Sequence, residues 1–479
     1  MTLNESIEYF PIFDPETTVD APGVSAAIGT TVAAIGSPDA LGGSGALVIY
    51  FYSRERKGWG YVGVLSGSKI DGMQQVRGLG SSCVAVGDTL IVGARGDATT
   101  PGRVFVLSPP YGAWTYTAIP VIAELARKEP AKGDGFGASV AHCFDGANHY
   151  VAVGAPTAAP PLGKSGGGQV FIFKGLQATN APWSSGFITS PDPAAAESDQ
   201  FGASVALSMS GDGSGAWDGT LTLAVGAPGA AAGQGAVFIG RTAEKDNWSG
   251  PIQFAEALAP SFPGAAEDFK TSGFGTAVAL SGGVSLAVGS PSDPNSATQT
   301  EGTGAVWTYR YQDGAWAENP AEARLFGPAA EARFGASLAF SPTAVAADGS
   351  TLEEGNVLLV GAPGAGRAYR YLNDEVAGRP GGVTYTADDE HASLVGKPSD
   401  GFGSGVALSA CDFGTWSFVA SPGSPKTGLE GGGFLFVHGE GGPKWMETPA
   451  LIAEPPVRWG GMNPDWWKRW TPEIPRYLS

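Results

Sequence analysis

Seven times along this chain an apolar run closes on a small-residue turn, and five of those runs are announced by a Phe-Gly pair. Phe136-Gly137 leads to Val151-Ala152-Val153-Gly154-Ala155-Pro156, and Phe201-Gly202 to Leu223-Ala224-Val225-Gly226-Ala227-Pro228. Phe274-Gly275 leads to Leu286-Ala287-Val288-Gly289-Ser290-Pro291, Phe334-Gly335 to Leu358-Leu359-Val360-Gly361-Ala362-Pro363, and Phe402-Gly403 to Phe418-Val419-Ala420-Ser421-Pro422. Two degenerate copies precede them: Leu79-Gly80 with Ile91-Val92-Gly93-Ala94-Arg95, and Val24 to Ala27 with Ala33-Ala34-Ile35-Gly36-Ser37-Pro38. Self-similarity at a fixed period marks units that cannot bury their faces alone and must stack.

Each turn is followed by a Gly-rich loop and a third apolar strand: Ala46 to Phe51, Arg103 to Leu107, Gln169 to Phe173, Ala236 to Ile239, Ala305 to Tyr309, Arg367 to Tyr371 and Phe434 to Val437. A fourth segment usually opens with Trp (Trp59, Trp114, Trp183, Trp248, Trp316, Trp445), and the sixth copy uses Val383 to Tyr385 instead. Four short strands per copy is the unit of a β-propeller blade. Strands sandwiched between neighbouring blades are buried on both faces, so they read as continuous apolar runs. The Phe is expected to wedge between adjacent blades, its Gly to let backbones approach, and the Pro to end the strand because it has no N–H for the ladder.

Composition agrees. Gly (74) and Pro (36) are too frequent for a long-helix protein, and Gly does not recur at every third residue as collagen requires. Charged residues are only 15% and aromatics reach 10%, which argues against disorder. The net charge of −18 repels nucleic acid and anionic lipid and suits a neutral partner or a cation. No apolar run approaches the length of a membrane span. Met1 to Ser6 carries an early acid and no basic residue ahead of an apolar core, so no signal peptide is read there. A cytoplasmic protein or one exported by another route is expected. Cys83, Cys143 and Cys411 are far apart and odd in number, which implies buried thiols rather than a disulfide framework.

The pattern over residues 22 to 453 resembles the FG-GAP repeat family, typified by the headpiece propeller of integrin alpha subunits, and is similar to fungal seven-bladed propeller lectins. The resemblance implies an all-β, seven-bladed propeller of four-stranded antiparallel blades over 22–455, used mainly as a binding platform, and an extracellular setting. Residues 1–21 are then an N-terminal extension whose Tyr9-Phe10-Pro11-Ile12-Phe13 could supply a closure strand, and 456–479 a Trp-rich tail. Many family members bind calcium between the first two strands of a blade, and that loop is eroded here. Of the aligned positions Ser214, Ala216, Asp218 and Thr222, only Asp218-Gly219 keeps the pattern. Asp145-Gly146 stands alone, and Glu353-Glu354 lack the spacing. No cofactor and no metal site is therefore expected.

Chemistry-bearing motifs are weak. Gly163-Lys164-Ser165-Gly166-Gly167 matches a nucleophile elbow but lies in a Gly/Pro-rich loop rather than between strand and helix. The four histidines (His142, His149, His391, His438) fall in three copies, so a metal triad is not expected. Acids precede several Phe-Gly pairs: Asp134, Asp199, Asp268, Glu331 and Asp400 are the candidate ligand-binding residues, placed by family geometry on inter-blade loops of one face, with turn chemistry as the alternative. The recurring Trp is expected to pack on the neighbouring blade more than to stack on sugars. In the tail, Trp459, Trp466, Trp467 and Trp470 amid Arg458, Lys468 and Arg469 are the candidate partner-binding residues, or dock on the acidic propeller. No catalytic residue is assigned. The leading expectation is a non-catalytic recognition protein for glycan or protein surface groups. The alternatives are a polysaccharide-active hydrolase or lyase, and a structural subunit docked by the tail. Oligomeric state stays open.

Overall fold

The computed structural model describes residues 6–11, 25–53, 58–67, 70, 76–87, 89–108, 121–127, 129–144, 148–159, 167–176, 184–189, 196–211, 217–242, 253–259, 272–294, 302–312, 314–318, 324–327, 329–341, 344–345, 352–353, 357–375, 383–387, 394–395, 401–411, 414–424 and 429–439. They form an all-β propeller with mostly four-stranded antiparallel blades.

The first four blades run, inner strand to outer, Ser25–Ile28, Val32–Ser37, Ala46–Ser53, Gly58–Ser66; Leu79–Val86, Thr89–Ala94, Arg103–Leu107, Val121–Leu125; Ser139–Phe144, Asn148–Ala155, Gln169–Leu176, Ser184–Thr189; and Ser204–Gly211, Trp217–Ala227, Ala236–Arg241, Gln253–Leu258. The fifth and sixth depart from the four-strand plan. Behind Ala277–Ser281, Ser285–Ser290 and Ala305–Gln312 the outer position is split between Ala315–Glu318 and Arg324–Phe326. Behind Ser337–Phe340, Val357–Ala362 and Arg367–Glu375 it is split between Val383–Ala387 and Leu394–Val395. A further sheet joins Gly405–Cys411, Gly414–Ser424 and Leu429–Gly439 to the N-terminal strand Ser6–Pro11, which pairs antiparallel with the last of them (Ser6 with Val437 to Pro11 with Gly432).

The apolar cores lie between neighbouring sheets. Phe136 is buried with Val104 and Val106 of the second blade and Phe171 and Phe173 of the third. Phe201 joins Val170 and Ile172 to Phe238, Phe274 joins Val237 and Ile239 to Trp307 and Tyr309, and Phe334 joins Val306 and Leu325 to Tyr369 and Tyr371. Each Phe meets its own blade's third-strand rings mostly edge-on, with Phe136–Phe171 centroids 5.2 Å apart. Each wedge fills a gap that neither blade could close alone. Between the last sheet and the first blade no Phe-Gly exists. There Trp416 and Phe418 pack on Ile35, Val48 and Tyr50, and Trp416 meets Trp59 at 5.0 Å and Tyr52 at 5.1 Å.

The Pro rule holds at Pro156, Pro228, Pro291 and Pro363, where the strand stops one residue earlier. It fails at Pro422. The last sheet's strand continues to Ser424, because the residues on either side, Ser421 and Gly423, keep their pairing with Gly432 and Glu430. Trp59 and Trp316 pack rather than stand free: Trp316 lies 5.5 Å from Tyr311, whose other contact is the Arg241 guanidinium at 3.8 Å. Trp114, Trp183, Trp248 and Trp445 lie outside the described residues.

Candidate functional site

The Phe-Gly and Gly-Ala-Pro motifs are two halves of one inter-blade lock. The Gly of Phe-Gly takes a left-handed backbone (φ +85 to +95) at Gly80, Gly137, Gly202, Gly275, Gly335 and Gly403, where a side chain would be strained. Its N–H donates to its own blade's turn, as Gly202 N does to the Gly226 carbonyl at 3.0 Å. Its carbonyl accepts from a Ser hydroxyl of the preceding blade. The five donors are Ser25 to Gly80 (2.9 Å), Ser82 to Gly137 (2.9 Å), Ser139 to Gly202 (2.8 Å), Ser204 to Gly275 (2.7 Å) and Ser337 to Gly403 (2.9 Å). That carbonyl also presses on the preceding blade's Gly-Ala-Pro glycine. A Cβ on Gly93, Gly154 or Gly226 would sit 2.0 Å from it. At the fifth blade the Ser position is Ala277, and the hydroxyl is missing.

This lock fixes a set of turns on one face of the propeller. In the six turns that precede the lock, the residue just before the Phe (or Leu79) is left-handed: Gly78 (φ 69), Gly135 (φ 70), Gln200 (φ 58), Gly273 (φ 67), Arg333 (φ 52) and Gly401 (φ 65). Four are Gly, as the conformation favours. Gln200 and Arg333 are not, and both side chains are exposed. Glu331, two residues before Arg333, is exposed and left-handed too (φ 55), at the position that Gly133 occupies in the third blade's turn. Among the described residues none of these three side chains has a hydrogen-bond or ion-pair partner.

The acids named from sequence thus separate by environment. Asp134 is buried. Its carboxylate pairs with Arg127 and accepts the Phe136 N–H at 3.1 Å, and burial raises its pKa against those contacts. Asp199 is buried and accepts the Ala196 N–H at 2.9 Å, closing a short 3-10 turn. Both hold the turn's shape. Glu331 alone of the described three projects outward. Asp268, Asp400, Trp459, Trp466, Trp467 and Trp470 lie outside the described residues, as do Asp145-Gly146, Ser214, Ala216, Glu354 and Gly163 to Gly166. Asp218 is placed in a strand, but its side chain is not described.

Other ionic groups nearby pair with one another: Arg95 with Asp39 (2.6 Å), Arg77 with Asp97 (3.6 Å) and, from the strand Arg324–Phe326, Arg324 with Asp293 (2.5 Å). Asp293 is fully buried. It also accepts the Trp307 indole N–H at 3.3 Å, and burial pushes its pKa up to about 6 against the pull of Arg324. At the contact between the first two blades Cys83 is half-buried and touches the Ser25 hydroxyl at 3.2 Å, and burial pushes its thiol up to about 12.

The left-handed column was readable in the sequence. Aligning the residue before each repeat Phe-Gly shows Gly135, Gly273 and Gly401, which marks Gln200 and Arg333 as exceptions. The spread of histidines over three copies gives no metal triad, yet the structure brings His142 and His149 into direct contact. The signal was their position on one hairpin, whose register the sequence does not state.

Fold and lock together define the class: a β-propeller built from repeated, interlocked blades. No family model and no curated protein matches this sequence. Solved structures similar in fold include Saccharomyces cerevisiae Sqt1 (13% identity over 92% of this chain and 100% of that chain, TM-score 0.46). They also include a Penicillium chrysogenum alpha-L-arabinanase complexed with arabinobiose (10% identity, 91% of this chain and 98% of that one, TM-score 0.43) and a Pseudomonas aeruginosa periplasmic gluconolactonase (14%, 78% and 86%, TM-score 0.43).

Proposed function

We propose that this protein is a non-catalytic recognition scaffold. In this reading its repeats are of the FG-GAP type, the last sheet counts as a seventh blade, and the loops leading into Phe-Gly bind glycan or protein surface groups. The observation that carries the reading is the left-handed backbone at exposed Gln200, Glu331 and Arg333. A side chain in that conformation costs about 1 kcal/mol where Gly costs nothing, and strain of this kind concentrates at working sites. Three polar side chains are kept at that cost, Gln200 and Arg333 where the four other turns carry Gly and Glu331 where the third blade's turn carries Gly133, and none serves a contact among the described residues. A guanidinium, a carboxylate and a carboxamide offer both donors and acceptors to hydroxyl-rich or amide-rich surfaces. Two such turns, leading into the fourth and sixth blades, would add avidity without new contacts.

The test is the triple variant Gln200→Gly, Glu331→Gly, Arg333→Gly. Its urea midpoint is expected to rise while binding to the spots that the unaltered protein lights on a printed glycan array falls. A stabilised variant with unchanged array binding would refute the reading, as would release of reducing ends from polysaccharide by the unaltered protein.

A further inference from the structure

A second candidate site lies in the third blade and is independent of that loop face. His142 is on the blade's innermost strand and His149 on the strand paired with it. The register sets Phe144 opposite His149, so His142, two residues along, meets His149 diagonally on the same face. The ring centroids are 5.1 Å apart, and Nε2 of His142 stands 2.8 Å from Nδ1 of His149. Phe144 stacks on His149 at 4.7 Å and holds its plane. Both histidines are half-buried.

Two imidazole nitrogens that converge in this way can share one proton or, once that proton has moved, one metal ion. Distance selects the ion. Ligand nitrogens lie about 2.0–2.1 Å from a first-row dication. Two of them 2.8 Å apart then subtend about 85–90° at the metal. A tetrahedral ion would need the nitrogens about 3.3 Å apart. A right angle between neighbouring ligands is the geometry of tetragonal Cu(II) or Ni(II), and Cu(II) binds such nitrogen sites most strongly. We propose that His142 and His149 form a cis bis-imidazole site for a tetragonal transition-metal ion, Cu(II) foremost. Among the described residues no group of three or more His, Cys, Asp or Glu side chains is placed to hold a metal, so the site is built on two protein nitrogens there. Binding displaces the shared proton, which moves to the far nitrogen of its own ring when that ring is neutral and is released to solvent when it is an imidazolium; no redox change is involved.

The experiment adds one equivalent of Cu(II) to the full-length protein in a weakly coordinating buffer and records the electron paramagnetic resonance spectrum. A tetragonal signal with splitting from two nitrogens is expected, reversed by EDTA. His149→Gln, checked for native fold by circular dichroism, is expected to lose one nitrogen coupling and weaken Cu(II) binding about tenfold or more. His142→Gln repeats the test from the other partner. A spectrum and affinity unchanged in both variants would overturn the proposal, because the copper would then sit on other residues. So would failure of the unaltered protein to bind.

Discussion

The inter-blade lock makes one prediction whose sign is opposite to the usual outcome of mutation. At five junctions a Ser hydroxyl donates to the next blade's Phe-Gly carbonyl at 2.7–2.9 Å, and the Oγ occupies the space left by the Gly-Ala-Pro glycine. A Cβ built on Gly36, Gly93, Gly154, Gly226 or Gly361 lies 2.2–2.4 Å from it. At the fifth blade the same probe from Gly289 meets the Gly335 carbonyl oxygen at 2.0 Å and, in place of a hydroxyl, the Ala277 methyl at 3.4 Å. The room and the acceptor, Gly335, are present and the donor is not. Ala277→Ser should supply it, worth about 1 kcal/mol net. Ser204→Ala should cost about 1–2 kcal/mol, since it removes a buried donor and leaves the Gly275 carbonyl short of a partner. The two sites are linked through Gly275, whose carbonyl accepts from Ser204 and whose N–H donates to Gly289, the pairing partner of Ala277, so each is read as a single variant against the parent. Urea unfolding at constant slope is the assay, because about 1 kcal/mol moves the melting temperature of a unit this large by only about a degree. A destabilised Ala277→Ser with an unchanged slope would refute the lock as an energetic element, and so would a neutral Ser204→Ala.

Gly154→Ala should be worse than losing any Ser, by about 3 kcal/mol, because its new methyl would lie 2.0 Å from the Gly202 carbonyl and the two blades must part; urea midpoints report this directly. Two buried groups should give opposing pH dependences. His142 is held neutral down to about 3, so its contribution is present above its ordinary 6.5 and is lost as pH falls from there toward 3. Asp293, raised to about 6, contributes most below its ordinary 3.8 and loses that contribution as pH rises through 6. Urea midpoints between pH 4 and 7 should therefore become flatter on the acid side in His142→Gln and lose their decline toward pH 6 in Asp293→Asn.

Much of the blade architecture was legible because a propeller repeats its constraints. Phe136, Phe201, Phe274 and Phe334 each sit where the repeat put them, between blades, since a large ring after a turn has one gap of its size to fill. Third strands such as Arg103–Leu107 begin where the Gly-rich loops end. The split outer strands of the fifth and sixth blades were not legible, because an edge position tolerates two short segments as readily as one long one. Nor was the division among the acids. Asp134 and Glu331 look alike in sequence, and only the presence of Arg127 beside the first and open solvent beside the second tells them apart.

The order of residues by itself determined that this chain must be a stack of like units. A Gly that needs φ near +90 and a Gly that a neighbour's carbonyl touches are written into each of the five repeat Phe-Gly pairs and nearly every Gly-Ala-Pro, and local backbone sterics make such requirements readable one residue at a time. What only the tertiary structure decided are the relations between residues far apart in the chain: which Ser reaches which carbonyl, which carboxylate is neutralised, and that two histidines seven residues apart meet at 2.8 Å. Those depend on strand register and on the angle between blades. Both are properties of the closed assembly, to which no single repeat is large enough to commit.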